Sequence, residues 1–386
     1  MADVVIAGIG QIPVGEHWEI SLRSLAAKAG LAAIKDAGGR RPQAMYIGNF
    51  LASTVTHQAN LGALLAENMG LHGIEAYTIE AAGASGAAAF RVAALAVASG
   101  YVETALVVGV EKFTDMVGAE VDGFLTQSSD YDYEAVQGLT LVGQAGLVAQ
   151  RYFYETGAPR EALAAFPLLA HANAVNNPNA MYRKALRREL YERADLTASP
   201  LNLFDAAPYA DGAAAVILTR ADRIDQPLPH PLVRVLGSSV AIDTLALHDR
   251  HDLLGFRAVT ASTERACRQA GLLPGDVDFF ELCDAFSIYA VLSLEAAGFA
   301  ARGEGWKLAE NGGLSLKGKL PILTQGGMKA RGNPLGAAGV YQLVEAAQQL
   351  RGQAGANQIA GARRGLVQCL GGPASTVVTH VLERMG

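Results

Sequence analysis

The two halves of this chain repeat each other, and that repetition limits the fold to architectures built from two like units packed together. Leu22 to Gly38 reads as a helix ending Ala33-Ile-Lys-Asp-Ala-Gly38, and Val259 to Gly271 as one ending Ala266-Cys-Arg-Gln-Ala-Gly271. Both stop on glycine, which takes the left-handed conformation that closes a helix. An apolar strand follows each, Ala44 to Gly48 and Val277 to Glu281. Each half then has a glycine-rich lead-in to a small-residue helix, Gly83 to Gly100 and Gly332 to Gly352, and after it a continuous apolar strand, Ala105 to Val110 and Gly365 to Leu370. Neither last strand alternates, so both are expected to be buried on both faces.

The pattern predicts a duplicated α/β unit, each copy a mostly parallel sheet with helices on both faces. The copies are expected to pack through their glycine- and alanine-rich central helices, because small residues let backbones approach closely. We place the halves at 1-225 and 226-386. The stretch from about 113 to 200 fits neither copy and is expected to be an inserted loop domain covering the site. With 386 residues, 51% of them hydrophobic, the chain can bury a core of that size.

Composition excludes some partners. A net charge of −6 argues against nucleic acid, which needs basic residues on one face. Three cysteines, Cys267, Cys283 and Cys369, form no disulfide framework and no metal-ligand spacing. The N-terminus runs straight into a β-branched strand with no basic leader, and no apolar run is read as membrane-spanning, so no membrane partner and a cytoplasmic location are expected.

Seven motifs in order, Glu80-Ala-Ala-Gly-Ala-Ser-Gly86, Val110-Glu-Lys-Phe-Thr-Asp115, Asp211-Gly-Ala-Ala-Ala-Val216, Ala246-Leu-His-Asp-Arg250, Leu282-Cys-Asp-Ala-Phe286, Gly326-Gly-Met-Lys-Ala-Arg-Gly-Asn-Pro334 and Cys369-Leu-Gly-Gly372, give the whole chain a resemblance to the thiolase superfamily. It most resembles the sterol-carrier-type and archaeal acetoacetyl-CoA branch. That resemblance implies the thiolase fold, two five-stranded units packed as an α-β-α-β-α sandwich. It also implies an acyl-CoA substrate, coenzyme A entering as part of the substrate with no tightly bound cofactor, a homodimer, and a small zinc-ribbon/OB-fold partner subunit.

The family's chemistry needs a cysteine at a helix N-terminus, a histidine in Gly-His-Pro, a second acid/base, and donors for thioester oxyanions. Residue by residue, the resemblance puts Gly83 at the nucleophile position, Asn333 at the histidine, Cys283 where the third motif carries His or Asn, and Cys369 at the acid/base cysteine. Gly83 has nothing to acylate. Asn333 can hydrogen-bond a carbonyl but is no base near neutral pH. The backbone at Gly83 and in the Gly371-Gly372 turn is expected to supply oxyanion donors. Proton transfer is left to Cys369, to Cys283 or to a substrate group; a free thiol has a pKa near ~8.5, lowered at a helix N-terminus or beside a cation, so Cys369 is expected to serve without extreme tuning.

Plainer readings stand beside these. Cys267 is read as a packing cysteine, and a buried inert thiol is the default for Cys283 and Cys369 as well. His248 and His251 are read as a polar, capping loop, and the basic run Arg183 to Arg188 as a solvated helix face. Asp284 is expected to cap the helix beginning near Phe286, and Gly8-Ile-Gly10 to make a tight turn.

Three functions remain open. One is aldolase-type cleavage or condensation of a CoA thioester without an acyl-enzyme, although the aldolase relatives place tyrosines where this chain has Cys283 and Asn333. Another is acyl transfer through a rebuilt or mutated site, with Cys369 or Cys283 as nucleophile. The third is a catalytically inactive structural subunit of a thiolase-type complex.

Overall fold

The computed structural model describes residues 3–116 and 118–386. Its strands in chain order are β1 (Val4–Gln11), β2 (Ala44–Gly48), β3 (Glu75–Ile79), β4 (Thr104–Glu111), β5 (Leu196–Ala198), β6 (Leu201–Asn202), β7 (Gly212–Arg220), β8 (Val233–Ile242), β9 (Phe279–Glu281), β10 (Arg364–Gly371) and β11 (Thr376–Arg384). Nine of them form one sheet in the order β3-β2-β4-β7-β1-β8-β11-β10-β9, while β5 and β6 make a separate hairpin.

The sheet is the duplication laid end to end. In the first half β1 to β4 run one way and β7 runs against them. In the second, β8, β9 and β10 run together and β11 opposes them. The halves meet where β1 pairs antiparallel with β8 through Val5–Arg234 and Ile6–Val233. Each half is therefore mostly parallel in strand direction. The second has four strands rather than five, its outer position reduced to a bridge between Phe280 and Ile322. There Phe280 N–H donates to the Pro321 carbonyl, and Pro321 has no N–H to extend the ladder.

The central helices, Ser85–Ser99 and Ala338–Arg351, pack against each other and against strands of both halves. Glycine permits the approach: a Cβ on Gly86 would lie 2.7 Å from the Gly336 carbonyl oxygen, and one on Gly339 2.7 Å from the Ala87 amide. The run Ala82–Ser99 is 18 residues long and apolar enough to cross a membrane by length and composition, contrary to the sequence reading. Here it is a core helix whose buried face contacts strands of both halves. Gly8 and Gly10 do not form a turn either. They lie within β1, where a Cβ would stand 2.2 Å from the carbonyls of Ala33 and Ala29 on the helix Leu22–Asp36.

Each central helix begins with one tight turn, Ala82–Ala84 and Leu335–Ala337, whose first residue is held at positive φ, +49° for Ala82 and +38° for Leu335. Non-glycine residues rarely adopt this region, and such strain gathers at functional sites. The repeat thus extends to a matched pair of strained turns, facing the segment between β4 and β7. That segment carries the helices Leu141–Thr156 and Ala165–Ala174 and the β5–β6 hairpin.

Candidate functional site

A cavity of about 490 Å³ opens where these lead-ins meet the β4–β7 segment. At the first helix lead-in its wall is main chain, while the β4–β7 segment adds side chains such as His171, Tyr182 and Tyr209. The Ser85 hydroxyl accepts from the Ala81 N–H at 2.9 Å and donates to the Ala82 carbonyl at 2.6 Å, which fixes the turn that presents Gly83. Gly83 lines the cavity at the positive end of the helix, and Gly372, at φ +56°, lines it beside the end of β10. Gly371 instead pairs with Thr376 in the sheet, so Gly372 is the member of that turn that reaches the cavity.

A side chain has little room at Gly83, since a Cβ there would stand 2.9 Å from the Leu370 carbonyl oxygen. Next to Leu370, Cys369 is fully buried, does not line the cavity, and donates its Sγ–H to the Gly83 carbonyl at 3.3 Å. Burial pushes its thiol well above the ordinary range rather than leaving it near there.

The second half also supplies side chains. Cys283 lines the cavity, its Sγ 3.6 Å from Met328 Sδ, and burial pushes its thiol up to about 11. Asn333 also lines it; its Oδ1 accepts from the Leu335 N–H at 3.2 Å, which leaves the Nδ2 donor for a ligand. Between them the chain makes a wide turn, Gly327–Arg331, flanked by Gly326 at φ +104° and Gly332 at φ +106°. Asp284 braces this turn by accepting from Met328 N–H at 2.6 Å and Lys329 N–H at 3.2 Å. It does not cap the helix Ser287–Ala296, whose N-terminus has no side-chain cap.

The turn sends Lys329 to the cavity wall. Its side chain is buried, and Nζ donates to the Asp205 carbonyl at 2.6 Å. Burial lowers this ammonium to about 8, against the opposing pull of Asp284 and Asp205. Sequence reasoning missed Lys329, along with Tyr289, His171 and Tyr209, which line the same space. His171 stacks on Tyr182 at 6.1 Å, and Tyr209 donates to Asp122 Oδ1 at 2.7 Å. A lysine between glycines and apolar residues was the available signal, because a charge there is either paired or at work. The second histidine-bearing segment stays apart: His248 is half-exposed and faces Glu134 at 3.5 Å. Among the described residues, no group of three or more His, Cys, Asp or Glu is placed to hold a metal.

Two like α/β halves, joined at their β1 and β8 edges and closing a cavity between glycine-rich helix lead-ins, define a thiolase-type α/β protein. The chain belongs to the thiolase family: the thiolase N-terminal domain matches residues 4–222 and the thiolase C-terminal domain-like family residues 239–384. It is 40% identical over 386 residues to an acetyl-CoA acetyltransferase of Methanothermobacter thermautotrophicus, covering 100% of both chains. It is 30% identical to a 17-hydroxy-3-oxo-4-pregnene-20-carboxyl-CoA lyase of Mycobacterium tuberculosis, over 94% of this chain and 95% of that one. Among solved structures, the Ltp2-ChsH2(DUF35) aldolase superposes with a TM-score of 0.87 at 25% identity, over 99% of this chain and 98% of that one.

Proposed function

We propose that this protein makes or cleaves the bond between the α and β carbons of a CoA thioester through the thioester enolate, without an acyl-enzyme. The observation that carries this reading is the Gly83 position. Where the resemblance puts a nucleophile, Gly83 offers backbone only, with the Leu370 carbonyl 2.9 Å from where a Cβ would be. Enolate chemistry needs what remains there: donors aimed at the oxygen where charge develops, and a proton carrier nearby. Main chain at Gly83 and Gly372 and the Asn333 amide are positioned for the first task. Coenzyme A belongs to the substrate, and no bound cofactor is required. The likeness to a lyase and to an aldolase supports the same chemistry.

A second reading, acyl transfer, is favoured by the likeness to an acetyltransferase and by Cys283, which lines the cavity. The Cys283 thiol, pushed up to about 11, is a poor nucleophile at neutral pH.

The assembly we infer is a homodimer with a small zinc-ribbon/OB-fold subunit. Edge strand β3 is unpaired on one side, Tyr77 on it is exposed, and so are Val92 and Leu95 on the helix packed against it. An open edge beside uncovered apolar side chains suits a second copy. The aldolase structure has a DUF35 partner in its name, which supports the small subunit.

Incubation with 3-hydroxyacyl-CoA esters, with and without that subunit, tests the reading. The expected products are a shortened acyl-CoA and an aldehyde or ketone, formed without added CoA. Thiolysis of acetoacetyl-CoA that requires CoA would establish the second reading, and CoA binding without turnover would leave a structural subunit.

A further inference from the structure

We propose that Lys329 is the proton carrier of this cavity, its amine exchanging a proton with the α-carbon or β-oxygen of the bound thioester. The inference rests on the enolate reading above and names the group that performs it. The wide turn Gly327–Arg331 is built to place this side chain: left-handed glycines flank it and the Asp284 carboxylate anchors its two amides. Lys329 then lines the cavity, and its amine has one hydrogen-bond acceptor, the Asp205 carbonyl.

Asp205 is itself fixed. Its carboxylate accepts from Tyr191 Oη at 3.1 Å and from Asn202 N–H at 3.0 Å, so the carbonyl that orients Lys329 belongs to a rigid turn. The titratable groups facing the amine are Asp284, Asp205 and Cys283, which favour its charged form, and His171, which shares the cavity lining with it. Burial outweighs the two carboxylates and brings the ammonium down to about 8, so both forms are populated near neutral pH. That is the condition for a group that must take and return a proton in one turnover. Neither thiol meets it, since burial raises both Cys283 and Cys369.

In cleavage, the neutral amine takes the proton of the β-hydroxyl, and the O–H electron pair becomes the second bond of the new carbonyl. The Cα–Cβ bond breaks, and its pair passes to the thioester as an enolate whose oxygen is held by the main-chain donors. The ammonium returns the proton to Cα, releasing acyl-CoA and leaving the amine neutral. Condensation is the reverse, and no oxidant or further reactant enters.

Two measurements on the full-length protein separate this proposal from the reading it rests on. Exchange of the α-protons of butyryl-CoA in D2O needs a proton carrier and an oxyanion site but no carbon-carbon cleavage; cleavage of 3-hydroxybutyryl-CoA needs all three. Wild-type exchange is expected to rise with pH and level off above about 8, where the amine is neutral. Lys329→Arg keeps a cation and hydrogen-bond donors but cannot release a proton, and is expected to bind butyryl-CoA while losing exchange ~100-fold or more, the contribution typical of a positioned acid/base. Lys329→Met should lose it equally. Exchange without cleavage in the wild type would overturn the enolate-cleavage reading and leave Lys329 standing. Absent wild-type exchange, a profile flat from pH 6 to 10, or a folded Lys329→Arg protein that exchanges like wild type would each overturn Lys329.

Discussion

The matched helix lead-ins of the two halves share a fold and differ in what they bring to the cavity, the first contributing backbone at Gly83 and the second the side chains of Asn333 and Leu335. Two buried glutamates show the same asymmetry. In the first half, Glu111 accepts from Asn49 Nδ2 at 2.7 Å and from the amides of Phe50, Leu51 and Gly336 at 2.9, 3.0 and 3.1 Å. It ties the segment after β2 to the second lead-in and is a fully satisfied structural group. In the second half, among the described residues, the Glu345 carboxylate has no hydrogen bond, only Arg331 at 3.5 Å, and the Arg331 guanidinium stacks on Tyr341 without a hydrogen bond. Duplication preserved the scaffold. The second copy holds a loosely satisfied buried pair at the end of the turn that carries Lys329.

If that contrast is right, its largest consequence is thermodynamic. Burial raises the Glu345 carboxyl to about 8 against the pull of Arg331, so above that pH Arg331→Met should leave a buried carboxylate without its cation and cost about 3–5 kcal/mol in denaturant unfolding. The double variant with Glu345→Leu should recover most of the loss, because the pair is replaced by apolar volume.

Gly83→Cys comes next. Forcing a side chain against the Leu370 carbonyl should cost about 1–3 kcal/mol, and thiolysis of acetoacetyl-CoA should not appear, since Asn333 still supplies no base.

A pH effect follows for His380, which is buried between Ser238 Oγ at 3.0 Å and the Ala87 carbonyl at 3.2 Å. Burial holds its folded pKa near about 3, below its ordinary 6.5. The folded state therefore binds fewer protons than the unfolded state between those values. Its contribution is complete above 6.5 and is lost as pH falls toward 3, at up to about 1.4 kcal/mol per pH unit. Glu111, raised by burial to about 7, runs the other way between 4.5 and 7. The difference between wild type and His380→Phe across that range isolates the histidine.

The smallest effect is expected for Cys369→Ser. With the thiol off the cavity wall, turnover of 3-hydroxyacyl-CoA should stay within about threefold of wild type, an amount equal to less than ~1 kcal/mol in the barrier.

Much of the scaffold was legible in the sequence because glycine and continuous apolar runs mark it. Strand β2 coincides with its sequence reading, and the helix Arg257–Ala270 closes on Gly271 as expected. The helix Leu22–Asp36 stops earlier, with Ala37 intervening before the left-handed Gly38. The site was legible in part. Gly83, Cys283 and Asn333 come to one cavity, but side-chain direction on a strand buried on both faces has no sequence signature, so nothing indicated that Cys369 turns toward the Gly83 carbonyl. Lys329 was hidden for another reason. Its placement depends on a wide turn between two left-handed glycines, a geometry that neither helical nor strand periodicity encodes.

The enolate account is tested most directly by intact-protein mass spectrometry during turnover of 3-hydroxyacyl-CoA and acetoacetyl-CoA. The expected result is a carbonyl product and a shortened acyl-CoA from the hydroxy ester, with the protein mass unchanged under both conditions. An acyl adduct on Cys283 or Cys369 that disappears on adding CoA would contradict it.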